Sequence, residues 1–336
     1  MVRIMKNIFD YATKELSQDA FLRWLFENYN CEDDHSLKNA SRNVIKKLCK
    51  LNDDEEIEYV ITYSQWHKID IFAFIKTNKR KVALFIEDKV FSAEHNQLLR
   101  YNEIINKSLN QNDYELNNLG CSPENVIKLF YKSSYIFDDE RKAVEEAGWI
   151  VLDIYRIMAI FKSLFDTDCA LLRQYIEHIR EIEKAWKTYE MPVSSRKGLD
   201  LIRWQAYFEF EIKPRLGLDA CKYVCKTYIT NYNYTCLYIV KKCNENVPYI
   251  ELRSRDISEN GFFVRILCHG VDYDKYSDKI KQVENRLKDA PNRAFVGKFT
   301  HRHQAKLLGK TERINENICD FLKKCIEDYD CAMQEW

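Results

Sequence analysis

Three residues suited to metal-assisted chemistry lie in segments otherwise built of strand-forming side chains. Asp70 interrupts the apolar run 68–75, and Glu87 lies near the end of the apolar run 82–88. Lys89 follows Glu87 two residues later on the same strand. A polar turn at Asn78-Lys79 joins the two runs and predicts an antiparallel hairpin with a two-residue loop. This loop sets Asp70 directly opposite Glu87, with Cβ atoms about 4.5–5.5 Å apart. Strand alternation then puts Lys89 on the same face as Glu87.

Two carboxylates that face each other in a sheet need a compensating charge, because directly opposed like charges destabilise a strand pair. Mg²⁺ takes oxygen ligands and keeps several waters, so Asp70 and Glu87 would supply two ligands and the backbone carbonyl of Asp88 a third. A cation acidifies the water that it holds, and Lys89 would orient that water or stabilise charge on a phosphate. The pattern predicts phosphodiester hydrolysis, although this spacing also arises by chance in charged sequences.

The elements that must position these residues alternate between helical and strand-like periods. The predicted helices cover 17–29, 36–51, 93–107, 139–147, 154–165 and 168–189, and the predicted strands cover 57–63, 68–75, 82–88, 126–131 and 149–152. The first three strands are expected to form a meander. We therefore predict an α/β core in which helices flank a sheet.

These residues and this order of elements resemble the PD-(D/E)xK nuclease superfamily. The resemblance is carried by Ile69-Asp70, by Glu87-Asp88-Lys89 and by the Gln97-Leu98-Leu99-Arg100-Tyr101 segment on the next helix. The Gln-x-x-x-Tyr pattern is similar to one subgroup of that superfamily, as is the acidic first-helix segment 15–22. Ile69 replaces the superfamily's proline, which removes no ligand. The resemblance covers residues 10 to 160 and implies a restriction-endonuclease-like core with a mixed sheet.

The resemblance also implies a role for each matching residue. Asp70 and Glu87 would be metal ligands, and Lys89 would position the water or stabilise charge. The remaining matches are Glu15 as a further carboxylate near the metal, Gln97 as a partner of the lysine or substrate, and Tyr101 facing the phosphate backbone. The implied cofactor is Mg²⁺, with Mn²⁺ as a substitute. Two interpretations without a catalytic role stay open. Glu15 could be a first-turn acid favoured by the helix dipole, and Gln97 with Tyr101 could be a polar pair on an amphipathic helix.

Charge is divided unequally along the chain. The 52 basic and 52 acidic side chains cancel overall, but residues 1–190 carry a net charge of −5 and residues 191–336 carry +5. The segment 293–311 contains basic residues and no acid, and its candidates for substrate binding are Lys298, Arg302 and Lys306. The alternative is a solvated helix or loop face. Arg253, Arg255 and Arg265 could extend this basic surface, but the sequence does not fix which way they face.

The linker-like segment 191–198 predicts two domains, a nuclease-like domain at 1–190 and an α+β accessory domain at 199–336 that binds substrate or a partner. The second domain is predicted to begin with a helix at 199–213, followed by strands at 222–230, 235–241, 249–253 and 262–267. Two helices are expected to finish the chain, the last of them capped by Thr311.

Composition excludes several classes of protein. Only 8 glycines occur, too far apart for a dinucleotide fingerprint, a Walker A loop or a G-x-S-x-G elbow. The 12 cysteines include no C-x2-C pair, so a zinc site at Cys268, His269, His301 and His303 is disfavoured and the cysteines are interpreted as small buried hydrophobes. The sequence shows no signal-peptide core and no membrane span. We expect a cytoplasmic protein.

These inferences combine into one leading hypothesis, a cytoplasmic Mg²⁺-dependent nuclease that hydrolyses phosphodiester bonds of nucleic acid, with DNA as the expected substrate. The alternative is a non-cleaving module for nucleic-acid binding or protein interaction built on the nuclease fold. A metal-dependent hydrolase of another substrate is a third option. The sequence supports no membrane partner, and it does not decide between RNA and DNA, internal and terminal cleavage, or one and two metals.

Overall fold

A mixed five-stranded sheet lies at the centre of the first part of the chain. The computed structural model describes residues 7–10, 15–90, 97–110, 115–165, 167–187, 190–192, 199–230, 234–242, 248–258, 261–269, 277–295, 300–302, 305–311 and 317–334. The chain divides into two compact units, Met1–Lys184 and Ala185–Trp336. The domain boundary predicted at 191–198 lies a few residues further along and stays a prediction.

The first sheet has the strand order β1-β2-β3-β4-β5. Its strands are β1 (Ile57–Trp66), β2 (Ile69–Thr77), β3 (Lys81–Lys89), β4 (Val126–Lys132) and β5 (Ile150–Leu152). The first three strands pair antiparallel, and β3, β4 and β5 pair parallel. The predicted meander and mixed sheet are therefore confirmed.

Helices supply the remaining structure of this unit. They are α1 (Glu15–Glu27), α2 (His35–Leu48), α3 (Gln97–Asn110), α4 (Glu115–Asn118), α5 (Asp138–Glu146), α6 (Ile154–Phe161) and α7 (Ala170–Trp186). Asp34 and Asp153 cap α2 and α6 by accepting backbone N–H bonds at 2.9 Å from Leu37 and Arg156. Parallel neighbours need crossover connections, and α3 and α5 lie in the connections between β3 and β4 and between β4 and β5.

The β2–β3 register agrees with the sequence prediction. Paired positions run from Ile71 opposite Ile86 to Lys76 opposite Lys81, the register that sets position 70 against position 87. Between positions 71 and 75 of β2, and from 82 to 90, every residue is buried. Burial on both faces explains the near-continuous apolar runs, and it makes the ionisable residues at the end of these strands stand out.

The second unit contains a six-stranded antiparallel sheet in the order β10-β11-β9-β8-β7-β6. Its strands are β6 (Tyr223–Ile229), β7 (Thr235–Lys241), β8 (Tyr249–Arg253), β9 (Val264–His269), β10 (Thr300–Arg302) and β11 (Ala305–Lys310). Its helices are α8 (Leu199–Ala206), which continues through a π-helical segment (Tyr207–Ile212) into α9 (Lys213–Leu216), then α10 (Ser277–Lys288) and α11 (Ile318–Ala332). The predicted α+β character is confirmed.

Two local details of this unit differ from the sequence interpretation. The alternative interpretation of the basic segment was a solvated helix or loop face, but its residues 300–302 and 305–310 form the paired strands β10 and β11. Thr311 does not cap the last helix: its hydroxyl accepts the backbone N–H of Val264 at 3.0 Å, beside β9. Asn317 caps α11 instead, accepting from Cys319 N at 2.9 Å.

No helix in the described part of the chain combines the length and the apolar character that crossing a membrane requires.

Candidate active site

The end of the β2–β3 hairpin brings the three predicted catalytic side chains together. Lys89 Nζ lies 2.6 Å from Glu87 Oε1 and 4.0 Å from Asp70 Oδ2. Asp70 Oδ2 also accepts the backbone N–H of Asp88 at 2.9 Å. The backbone pairing of β2 with β3 ends at Ile71 and Ile86, and just beyond it the side chain of Asp70 accepts the N–H of Asp88 and is thereby held by β3.

Burial makes the carboxylate pair electrostatically unfavourable without a cation. Glu87 is 1% exposed, and its Oε2 has no hydrogen-bond partner within the described residues. Burial first, and then the negative charge of Asp70, raises the pKa of Glu87 to about 8, against the opposing influence of Lys89. A single ammonium group therefore does not compensate both carboxylates.

The backbone of β3 supplies a third oxygen on the same side. The carbonyl of Lys89 accepts from Ser133 N at 3.2 Å, on the β4 side, whereas the N–H of Asp88 points to Asp70 on the β2 side. Because the N–H and C=O of one strand residue point to the same edge, the Asp88 carbonyl faces the β2 side as well.

These oxygens fit a hard divalent cation. Two carboxylates and one carbonyl, completed by waters, match the ligands that Mg²⁺ prefers. The described residues contain no group of three or more His, Cys, Asp or Glu side chains arranged to hold a metal. Among the described residues, the further ligands of a cation at this site would be the backbone carbonyl of Asp88 and water.

A buried polar network behind the site was missed by the sequence analysis. Gln18 of α1 donates to Asp88 Oδ1, and Tyr175 of α7 donates to Gln18 Oε1 at 3.4 Å. The hydroxyls of Tyr175 and Tyr131 lie 2.6 Å apart. Burial, followed by the charge of Asp19, raises the pKa of Asp88 well above its usual value. The available signal was the Gln18-Asp19 pair at the start of an apolar helix face.

The β1–β2 turn carries the other supports of Asp70. Gln65, His67 and Lys68 have φ values of 51°, 49° and 75°, a conformation that costs non-glycine residues roughly 1–2 kcal/mol each. Gln65 Nε2 donates to Asp70 Oδ1 at 3.0 Å, and Tyr101 Oη donates to the carbonyl of Lys68 at 2.8 Å. These bonds hold the strained turn directly before Asp70.

The structure describes the remaining predicted site residues to different extents. Tyr101 is 1% exposed and bonded to the turn, so its predicted phosphate contact stays a prediction. Gln97 begins α3 and is half-buried, and Glu15 begins α1 with its side chain outside the described part. Arg302 and Lys306 lie on β10 and β11, where only the backbone is described, and Lys298 lies outside the described residues.

Comparison with known families agrees with this geometry. The family model described as the PD-(D/E)XK nuclease superfamily matches residues 6–189, and the chain belongs to that superfamily. Its members are generally nucleases, and they typically use divalent metals such as Mg²⁺. Comparisons with curated proteins and with solved structures gave no match. The Gln-x-x-x-Tyr subgroup stays a prediction.

The raised pKa of Glu87 predicts how stability depends on pH without metal. Between the ordinary value of 4.5 and about 8, folded Glu87 keeps a proton that the unfolded chain has lost. The wild-type protein should therefore lose roughly 1 kcal/mol of stability per pH unit as pH rises through this window. Glu87→Gln should remove that loss and be the more stable form at pH 8, measured by urea unfolding in EDTA. Parallel pH curves for Glu87→Gln and wild type would contradict this, and Glu58→Gln, at an exposed position of β1, is the control.

The Gln18–Asp88 contact predicts a coupled loss of stability. Gln18→Ala should lower the free energy of unfolding by about 1–3 kcal/mol, because it leaves the buried carboxyl of Asp88 without this donor. The same substitution should cost clearly less in an Asp88→Ala background. Equal costs in both backgrounds, measured by urea unfolding, would show that the two side chains do not interact.

The Tyr101 hydroxyl predicts a structural effect that a pure substrate contact would lack. Tyr101→Phe should lower the free energy of unfolding by about 1 kcal/mol, because the Lys68 carbonyl loses its buried donor. The matched control is Tyr155→Phe, since the Tyr155 side chain is 52% exposed. Unchanged stability in Tyr101→Phe would favour the predicted role in binding phosphate.

Proposed function

We propose that this protein is a nuclease that hydrolyses phosphodiester bonds of DNA with the help of Mg²⁺ or Mn²⁺. The observation that carries the proposal is the Asp70–Glu87 pair beside Lys89, with Glu87 buried and Asp70 half-buried, at the end of a strand pair that is otherwise apolar. A structural role alone does not account for two carboxylates kept in this position, where burial and then the charge of Asp70 raise the pKa of Glu87 to about 8. Membership of the superfamily supports the same reaction.

Each residue contributes a distinct part of the site. Asp70, Glu87 and the carbonyl of Asp88 would hold the cation, which when bound would neutralise the carboxylates and act as a Lewis acid toward a phosphate. Lys89, held by Glu87, would present its ammonium group to the phosphate or to the attacking water. Gln65 and the Asp88 N–H fix the orientation of Asp70. We further propose Glu15 as an additional carboxylate and Gln97 as a partner of Lys89 or substrate.

Substrate binding is proposed for residues in both units. Tyr101 belongs to the superfamily pattern, and Lys298, Arg302 and Lys306 belong to the acid-free basic segment. The net charge of +5 on residues 191–336 favours association with a polyanion. Neutralising phosphates with lysine and arginine makes such binding weaken as salt rises.

The test is a cleavage assay on plasmid, linear duplex, single-stranded DNA and RNA with Mg²⁺, Mn²⁺ or EDTA. Plasmid nicking would indicate internal cleavage. Asp70→Asn, Glu87→Gln and Lys89→Ala should each lower the rate by about 100-fold or more, because the first two remove a ligand of the cation and the third removes the ammonium group at the reacting phosphate. Asp54→Asn is the control, since Asp54 is a largely exposed acid in the turn before β1. Robust cleavage in EDTA, or full activity of Lys89→Ala, would refute the proposal.

Calorimetry separates a nuclease from a non-cleaving module. Mg²⁺ or Mn²⁺ binding that Asp70→Ala abolishes would support the proposed site. Salt-sensitive DNA binding without metal uptake, together with no cleavage of any substrate, would instead assign the fold to nucleic-acid binding alone.

A further inference from the structure

The second sheet presents a polar and aromatic face that the nuclease site does not use. Its other face carries the apolar core residues Leu237, Ile239, Ile250, Leu252, Val264 and Ile266. Strand alternation therefore turns the intervening residues to the opposite face, which we call the outer face. The observed register aligns one row across five strands, namely Lys226, Tyr238, Glu251, Arg265 and Lys310.

The helices of this unit pack into the core side of the sheet. Trp204 of α8, Ile280 and Leu287 of α10, and Leu322 and Tyr329 of α11 all belong to the apolar cluster around the core residues of the strands. On the outer face, Lys226 is exposed, Tyr228 is 39% exposed, and Tyr238 and Tyr249 are half-buried. Solvent therefore reaches aromatic and cationic side chains of a regular sheet.

Acidic side chains hold the outer-face groups in fixed positions. Glu251 accepts hydrogen bonds from Tyr228 Oη at 3.3 Å, from Cys236 Sγ at 3.3 Å and from Arg253 Nε. Arg265 is bonded through both terminal nitrogens to Asp256. Side chains ordered in advance lose less entropy when a ligand binds.

Aromatic rings and guanidinium groups also lie beside one another at this face. The guanidinium of Arg255, just beyond β8, lies 3.9 Å from the ring centroid of Tyr234, and that of Arg253 lies 5.3 Å from it. The rings of Tyr238 and Tyr249 are 4.6 Å apart. Flat rings of this kind are the platforms on which bases of single strands stack.

Positive charge predominates among these residues. Lys226, Arg253, Arg255, Arg265 and Lys310 provide five cations, against the two acids Glu251 and Asp256. Burial first, and then the charge of Arg253, lowers the pKa of Arg265 to about 10. A bound anion would relieve this crowding of positive charge.

We propose that the outer face binds a single strand of nucleic acid, with phosphates at Lys226 and Arg255 and bases stacked on Tyr228 and on the Tyr238–Tyr249 pair. The proposal deepens the proposed function, since it rests on nucleic acid being the substrate, but it does not require cleavage. Charge complementarity favours a polyanion over a protein partner or a second copy of this chain.

The test is the fluorescence anisotropy of a labelled 20-nucleotide single strand with the full chain in EDTA, where metal-dependent cleavage is absent. Lys226→Glu with Arg255→Glu should weaken binding about 10-fold or more and reduce the slope of log affinity against log salt by about 1.4 or more. The control pair Lys281→Glu with Lys288→Glu makes the same charge change on exposed α10 positions and should stay within about 2-fold.

A second pair of variants isolates stacking from charge. Tyr228→Ala should weaken binding about 5-fold or more, whereas Tyr228→Phe, which keeps the ring and loses only the bond to Glu251, should weaken it clearly less. Thermal unfolding of each variant checks that the fold is kept.

Equal losses for the outer-face and control pairs, or unchanged binding by Tyr228→Ala, would overturn the proposal. So would a change of oligomeric state in sedimentation caused by the outer-face variants, which would assign the face to a protein contact. Binding of the single strand without cleavage of any substrate would refute only the nuclease proposal. Cleavage together with binding that these variants do not change would refute only the proposed role of the outer face.

Discussion

The ionisable groups at the end of β2 and β3 are the constraint around which the first unit is organised. Glu87 and Asp88 are buried in a sheet whose neighbouring positions are apolar, and burial of a charge is costly unless it is paired or bonded. Lys89 pairs with Glu87, the Asp88 N–H bonds Asp70, and Gln18 reaches Asp88 from α1. Segments far apart in the chain thus meet to stabilise one small cluster of carboxyl groups.

The sequence contained enough information to predict the hairpin and its register. A two-residue turn at Asn78-Lys79 determines which residues face each other, so the approach of Asp70 to Glu87 followed from local chemistry. The observed pairing of Ile71 with Ile86 agrees with it. The apolar runs identified the strands because both faces of β2 and β3 are buried.

Other parts of the site depended on tertiary contacts that no local pattern specifies. Gln18 and Asp88 are separated by 70 positions, and Tyr175 lies 157 positions beyond Gln18, so their contacts arise only when α1 and α7 pack against the sheet. Thr311 resembled a helix cap, but its hydroxyl bonds Val264 in the second sheet. Similarly, Arg265 could be assigned to the outer face only after its pairing with Glu251 was known.

The β1–β2 turn has non-glycine residues at backbone positions that usually favour glycine. Left-handed positions usually favour glycine, yet Gln65, His67 and Lys68 occupy them here. A glycine at position 65 would relax the backbone but would remove the amide that donates to Asp70 Oδ1. Strain retained beside a functional group is characteristic of sites where geometry matters more than stability. The strained turn and the buried carboxylates therefore both lower the stability of the fold, and both keep Asp70 oriented toward Glu87.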